Sequence, residues 1–512
     1  MHAVPKLLSA ELDGVAAELI EVEADLNVGL HAFNIVGLAD KAITEAKERV
    51  NSALKNSGIK PPTKENRRIT INLAPADVKK IGSRFDLPIA LAYLMASEQL
   101  DLFPTHNKMF VGELSLDGTL RPVNGCLNVA LLAREKGVSE LFVPEVNAAE
   151  AAVIKEITVF PVPTLPRLIA HLEGVDPITP QPHLEFSGAY PPTLVTFGEI
   201  KGQLAAKRAL VIAAAGGHNT LLSGPPGTGK TMLAQALASI LPPPSLEEKI
   251  EITAIWSAAG LLHKELPFLH FRPFRSPHHS ASLIALIGGG QNPKPGEISL
   301  AHRGVLFLDE LPEFHRDALE ALRQPLEAGE VRVARARKAV VFPSRFMFAA
   351  AMNPCPCGYF GDPERECTCT AHGVFRYQKR ISGPLLDRID IQFEVPRVKI
   401  EILRSETPKG EQETARESVE RARAIQKERF LKRNISIYTN NEMSSKDVDA
   451  LVSLETNAES FLKEMIERNF VSVRGYYRIL RVAQTIADLE CATTIKKEHL
   501  AEAFHYRIRT NE

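Results

Sequence analysis

Apolar residues are spaced along this chain in three successive ways, and each predicts a different kind of domain. Over residues 1–165, short strand-like runs (Ile69-Thr-Ile-Asn-Leu73, Leu141-Phe-Val143) mix with helical periodicity in Asp40–Asn56 and Leu87–Ser97. From Gly198 to about Glu394, wholly apolar runs alternate with helical ones. Asn219–Ser223 leads into a glycine loop and the helical run Lys230–Ile240, and Gly304–Leu308 and Arg345–Ala350 follow as further strands. Apolar strands of this length between helices predict a parallel sheet covered on both faces. Beyond Pro396 the pattern is helical almost throughout, as in Glu413–Lys432 and Val473–Leu489. The proline-rich stretch Val175–Pro192 has little periodicity and predicts an extended linker. A multidomain α/β protein is therefore expected: an α+β domain over 1–165, a linker over 166–192, a parallel α/β core over 193–396 and an all-α lid over 397–512. No internal repeat or low-complexity tract interrupts it.

Composition changes this picture little. The chain has 512 residues, too many for one core, since a domain takes roughly 150. Lys plus Arg is 61 against 62 for Asp plus Glu, so a nucleic-acid partner would have to meet a local basic patch. The first residues show no cationic segment followed by an apolar run and a small-residue cleavage site. No apolar stretch approaches the roughly 18 residues a bilayer demands. These features predict a cytoplasmic, soluble chain with no membrane partner. Four of the six cysteines crowd into one short stretch, which in such a chain favours a metal site over disulfides.

The chemistry concentrates first in Gly224-Pro225-Pro226-Gly227-Thr228-Gly229-Lys230-Thr231, which matches G-x-x-x-x-G-K-[ST] between a strand and a helix. Glycines let backbone N–H groups close around phosphates, and the helix N-terminus adds a favourable dipole. Lys230 is placed to reach the β- and γ-phosphates of ATP, and the Thr231 hydroxyl to ligate Mg²⁺. Downstream, Val305-Leu-Phe-Leu-Asp309-Glu310 is an apolar strand ending in two carboxylates. Asp309 then holds the Mg²⁺ shell and Glu310 polarises the attacking water, two duties that phosphoryl transfer requires. A hydrophobic run ending in Asp-Glu says little alone; paired with the glycine loop it predicts ATP hydrolysis.

With these motifs in view, the chain resembles the AAA+ magnesium-chelatase-like family, and within it the ComM/YifB branch, described as bacterial DNA helicases and branch-migration motors. The matching stretches also include Phe274-Arg-Ser-Pro-His-His-Ser280, Ala351-Met-Asn-Pro354, Ser382-Gly-Pro-Leu-Leu-Asp-Arg-Ile-Asp390, Ser472-Val-Arg474-Gly-Tyr-Tyr-Arg478 and Gly112–Pro122. They span nearly the whole chain. The resemblance implies a P-loop AAA+ core and a homo-oligomeric ring, taken as a hexamer, with DNA as partner. It makes Asn353 the sensor 1 residue, Arg388 an arginine finger completing a neighbour's site, and Arg474 the sensor 2 residue reaching from the lid to the γ-phosphate. A finger supplied in trans accelerates related reactions by roughly 10³ to 10⁵. Residues 1–165 resemble the peptidase domain of Lon. Around Asn72–Asp86, however, Arg84 stands where the Lon serine would be, with Ser83 one place away. Val123–Val129 lacks the expected lysine, so no Ser–Lys dyad is predicted. That domain either binds DNA or organises the ring.

Two further clusters are candidates. Cys355-Pro-Cys357 and Cys367-Thr-Cys369 are two C-x-C pairs nine residues apart, matching a tetrahedral structural Zn²⁺ site; four free thiols are the alternative. Glu330–Val341 alternates as a hairpin would, with Arg335, Arg337 and Lys338 near its middle. These cations either track DNA phosphates in a ring's pore or merely keep a sheet edge soluble. The irregular segment His270–Pro295 carries Arg272, Arg275 and His278-His279 and has the length of a functional loop; the His pair is not read as a metal site. Three functions remain in view: a DNA-remodelling ATPase ring, the ATPase subunit of a porphyrin-metallating complex, and a nucleotide-gated adaptor. The intact set of Lys230, Asp309, Glu310 and Arg388 argues against the last.

Overall fold

A computed structural model describes residues 4, 6–64, 66–183, 195–263, 265–334, 339–404, 410–469 and 471–507. The fold is mixed α/β with a helical C-terminal region. Seven strands form the N-terminal sheet: β1 (Lys6–Asp13), β2 (Ala16–Val28), β3 (Ala32–Val36), β4 (Arg67–Ala74), β5 (Lys108–Phe110), β6 (Glu140–Pro144) and β7 (Thr158–Val162). Their order is β3-β4-β2-β1-β5-β6-β7, antiparallel for β1 with β2 and β2 with β4, and parallel elsewhere. The alternation expected of Ile69–Leu73 is real: Ile69, Ile71 and Leu73 point inward while their neighbours do not. Helices α1 (Ala46–Asn56) and α2 (Asp86–Ala96) share their core with β4. The helix expected over Asp40–Asn56 is interrupted at Glu45. Asp40 caps a separate turn, Lys41–Thr44, and the Thr44 hydroxyl donates back to the Asp40 carbonyl, a bond that competes with helix continuation.

The boundary after this domain differs from expectation. The stretch 166–192 opens with a helix, Leu165–Leu172, capped by Thr164 and burying Leu168. Beyond it, Ile178 is buried, its N–H donates to the His171 ring, and the Gln181 N–H donates to the Val159 carbonyl on β7. Prolines leave this chain extended, yet the N–H groups of Ile178 and Gln181 and one apolar side chain find partners on the domain. Residues up to 183 thus pack as part of the N-terminal unit rather than as a free linker.

The central sheet contains β8 (Thr220–Ser223), β9 (Phe274–Arg275), β10 (Val305–Leu308), β11 (Met347–Met352) and β12 (Ile391–Glu394), all parallel, in the order β9-β10-β11-β8-β12. The strand expected from Arg345 starts only at Met347. The Arg345 N–H is taken by the His302 ring, its carbonyl by the Arg303 N–H and its guanidinium by Glu442. Helices α4 (Leu204–Gly216) and α5 (Lys230–Ser239) cover one face, sharing a core with α7 (Glu411–Leu431), α8 (Val473–Leu489) and α9 (Lys497–His505). The Glu330–Val333 and Val340–Pro343 strands pair antiparallel, as the expected hairpin requires; Arg335, Arg337 and Lys338 lie outside the described residues. Among the described residues no helix is long and apolar enough to cross a membrane.

The two sheets are joined through α3 (Cys126–Glu135) and α6 (Leu246–Ala259), whose Leu127, Ala130 and Ala254 share one apolar cluster. Polar locks flank it: the Gly125 N–H donates to the Ser257 carbonyl, and the Ser257 hydroxyl donates to Glu150 at 2.7 Å. Burial pushes the Glu150 carboxyl up to about 7 from its ordinary 4.5. A carboxyl with a raised folded-state pKa takes up a proton on folding. Its contribution is therefore fully present below about 4.5 and is lost as pH rises towards 7. Glu150→Gln is expected to flatten the pH dependence of the thermal midpoint between 4.5 and 7; an unchanged profile would detach Glu150 from this junction.

Candidate active site

Strand direction decides what meets what. Ser223 ends β8, Leu308 ends β10 and Met352 ends β11, so the residues that follow all emerge at the carboxyl edge of the sheet. The glycine loop, Asp309-Glu310 and Asn353 converge there, beside the point where β8 sits between β11 and β12 and the strand order reverses, the usual ligand crevice of such sheets. Gly229 is the N-cap of α5. A Cβ on Gly224 would lie 2.4 Å from the Val395 carbonyl oxygen, so only glycine allows the loop to start this close to β12.

Lys230 Nζ donates to the carbonyls of Gly224 and Pro225 at 2.7 and 2.9 Å and to Asn353 Oδ1 at 3.1 Å. Burial draws its pKa down, against the pull of Asp309 and Glu310. Thr231 Oγ1 donates to Asp309 Oδ2 at 2.7 Å, which brings together two hard oxygen donors of the kind Mg²⁺ takes. Glu310 is exposed, with backbone φ of 52°, in the left-handed region that non-glycine residues rarely occupy. One neighbour of this group carried no role in the sequence: His279, whose Nδ1 lies 3.5 Å from Glu310 Oε2 while its ring stacks on His278. The loop was visible as Phe274–Ser280, but its approach to Glu310 depends on how it folds over the strand edge.

The two arginines go elsewhere. Arg388 immediately precedes β12, and the Asn219 side chain, just before β8, donates to the Arg388 carbonyl at 2.9 Å. Arg388 therefore sits at the amino edge of the sheet. Strands of four residues separate the two edges by about 13 Å. Arg388 pairs with Glu327 at 2.5 Å, and Arg474 pairs with the same carboxylate at 3.1 Å. Arg474, expected to reach from the lid to the γ-phosphate, lies away from the glycine loop of its own chain. It stands beside Arg388, because α8 begins over the amino edge, and neither arginine meets Lys230 within one chain.

The four cysteines are gathered as their spacing suggested. Their Sγ atoms all lie within 4.8 Å of one another, with Cys355 to Cys357 at 3.3 Å and Cys357 to Cys367 at 3.6 Å. Tetrahedral thiolate around Zn²⁺ at 2.3 Å requires sulfur separations of about 3.8 Å, so the residues fit a metal ion. This loop abuts the glycine loop: a Cβ on Gly358 would lie 2.6 Å from the Pro226 ring. In the N-terminal domain Ser83 donates to Glu113 and the buried Lys80 to the Pro75 carbonyl, so the two do not form a dyad. Arg84 instead faces the buried Glu11 at 4.0 Å.

Comparison with known proteins bears on the whole chain. The family described as subunit ChlI of Mg-chelatase matches residues 22–147, magnesium chelatase subunit ChlI matches 196–403, and its C-terminal region matches 410–507. Competence protein ComM of Haemophilus influenzae is 45% identical over 503 residues, covering 96% of this chain and 95% of that protein. YifB of Salmonella typhimurium is 43% identical, with the same coverage. A weaker likeness joins 31% of this chain to 20% of the Lon protease of Rhizobium meliloti, at 25% identity. Consecutive family matches and near-full-length identity agree on one assignment: the chain belongs to the magnesium-chelatase-like family, in its ComM/YifB branch.

Proposed function

We propose that this chain is an AAA+ ATPase that works as a homo-oligomeric ring, a hexamer in our reading, and remodels DNA. One observation carries it: the phosphate-binding set lies at one edge of the sheet and Arg388 and Arg474 at the other, so a complete site needs two copies. The loop Gly224–Thr231 cradles the phosphates of ATP and Lys230 neutralises their charge. Thr231 and Asp309 are the residues that would hold Mg²⁺, which shields the phosphate oxygens. Glu310 orients and deprotonates the attacking water, and Asn353, tied to Lys230, positions the terminal phosphate. Arg388 and Arg474, held side by side by Glu327, stabilise transition-state charge in the adjoining copy. Cys355, Cys357, Cys367 and Cys369 form a structural Zn²⁺ site that braces the glycine loop through Gly358 and Pro226.

DNA as substrate is supported by family membership and by the cations Arg335, Arg337 and Lys338 that the sequence carries shortly before β11. A second reading, the ATPase subunit of a metal-inserting complex, is favoured by the description of the matching families. The resemblance of residues 1–165 to the peptidase domain of Lon, read from the sequence, weighs against it.

Mixing tests the shared site directly. Lys230→Ala and Arg388→Ala should each be nearly inactive alone, while an equimolar mixture should recover part of the ATPase, because an intact glycine loop then meets an intact Arg388. A mixture as inactive as its components would end the shared-site reading. Glu310→Gln should bind ATP and hydrolyse it about 10²-fold or more slowly. Wild-type hydrolysis should rise with single-stranded, duplex or four-way-junction DNA and lose that stimulation steeply with salt; indifference to every DNA would return the chain to the metal-insertion reading. Elemental analysis should find one zinc per chain, and Cys357→Ser should lose it and lower the thermal midpoint.

A further inference from the structure

A cavity of about 610 Å³ opens at the amino edge of the central sheet, away from the glycine loop. Its walls come from the lead-ins to β8, β10, β11 and β12 and from α7 and α8. Eight arginines and five carboxylates line it, which leaves three positive charges in excess. Six of the arginines are paired. Arg272 meets Glu248, Arg303 and Arg345 share Glu442, Arg388 and Arg474 share Glu327, and Arg478 meets Asp387.

Arg423 and Arg481 are different. Arg423 donates only to the Ala214 carbonyl at the end of α4, at 2.7 and 3.1 Å, and Arg481 only to the Asn441 carbonyl, at 3.4 Å. Among the described residues no carboxylate lies within ion-pair distance of either. Burial pulls Arg423 down to about 10 and Arg481 below its ordinary value. In addition Arg481 Nε, Arg388 Nε and Ser344 Oγ are buried without a partner among the described residues, and all three residues line the same cavity. Buried cations and orphaned donors persist when a ligand completes them. The excess charge is positive, and the donors are guanidinium forks and a hydroxyl, a set matched to tetrahedral oxyanions.

We propose that this cavity is a second anion site, which binds a free phosphate-type oxyanion through Arg423, Arg481 and Ser344, apart from any nucleotide on the glycine loop. Arg388 and Arg474 stand at one rim with Glu327 and retain their place in the shared ATP site. The same phosphate chemistry has two sources, a free ion or the phosphate chain of a nucleotide held by an adjoining copy, and the test separates them.

The probe is inorganic phosphate, titrated calorimetrically into the full-length chain at constant ionic strength. Lys230→Ala, which disables the glycine loop, should retain phosphate binding. In that background Arg481→Gln and, separately, Ser344→Ala should each weaken binding, Arg481→Gln by at least tenfold. Ser344→Ala keeps the test informative if the arginine change impairs folding. Loss of binding with Lys230→Ala alone would place the phosphate on the glycine loop and overturn the proposal. So would affinity indifferent to both cavity substitutions, or the absence of any phosphate binding. In Glu310→Gln rings loaded with ATP, phosphate affinity should be unchanged; competition would assign the cavity to a neighbour's nucleotide and refute the free-anion site.

Discussion

The parallel alignment of five short strands is the constraint on which the rest depends. Because β8, β10, β11 and β12 run the same way, every motif that follows a strand gathers at one edge, and every motif that precedes one gathers at the other. The glycine loop, the Asp309-Glu310 pair and Asn353 follow strands; Arg388 precedes one. No side-chain motion within one chain exchanges these edges. Strand polarity thus sets the glycine loop and Arg388 on opposite edges of one sheet.

Electrostatics keep each half ready. At the carboxyl edge, loop carbonyls and Asn353 hold the Lys230 ammonium, and the Thr231–Asp309 bond aligns two oxygen donors. At the amino edge one carboxylate, Glu327, holds two guanidinium groups next to each other. Fixed charges of this kind need little reorganisation when transition-state charge develops. The cysteine loop leans on the glycine loop through Gly358 and Pro226. On the opposite side α6 carries the N-terminal domain, through an apolar cluster and the Ser257–Glu150 bond. Motion of that domain is therefore mechanically linked to the helix that follows α5.

Much of this was legible in residue order because the signals are local. A glycine loop between an apolar strand and a helix, two acids at a strand end and two C-x-C pairs each depend on short-range spacing. Ile69–Leu73 announced its inward face by alternation alone.

What residue order left open depends on distant partners. The helix Leu165–Leu172 lay in the span assigned to a linker, and the packing on β7 of the proline-rich chain after it is a tertiary matter. Arg345 left its strand because His302, Arg303 and Glu442 compete for its polar groups. His279 meets Glu310, and Arg474 meets Arg388 over Glu327, only through chain reversals that no periodicity records. The arginine-lined cavity draws residues from position 217 to position 481, so no window of sequence displays it. The sequence by itself determined the motifs and their order along the chain; the tertiary structure, through strand direction and long-range burial, decided which of them share an edge.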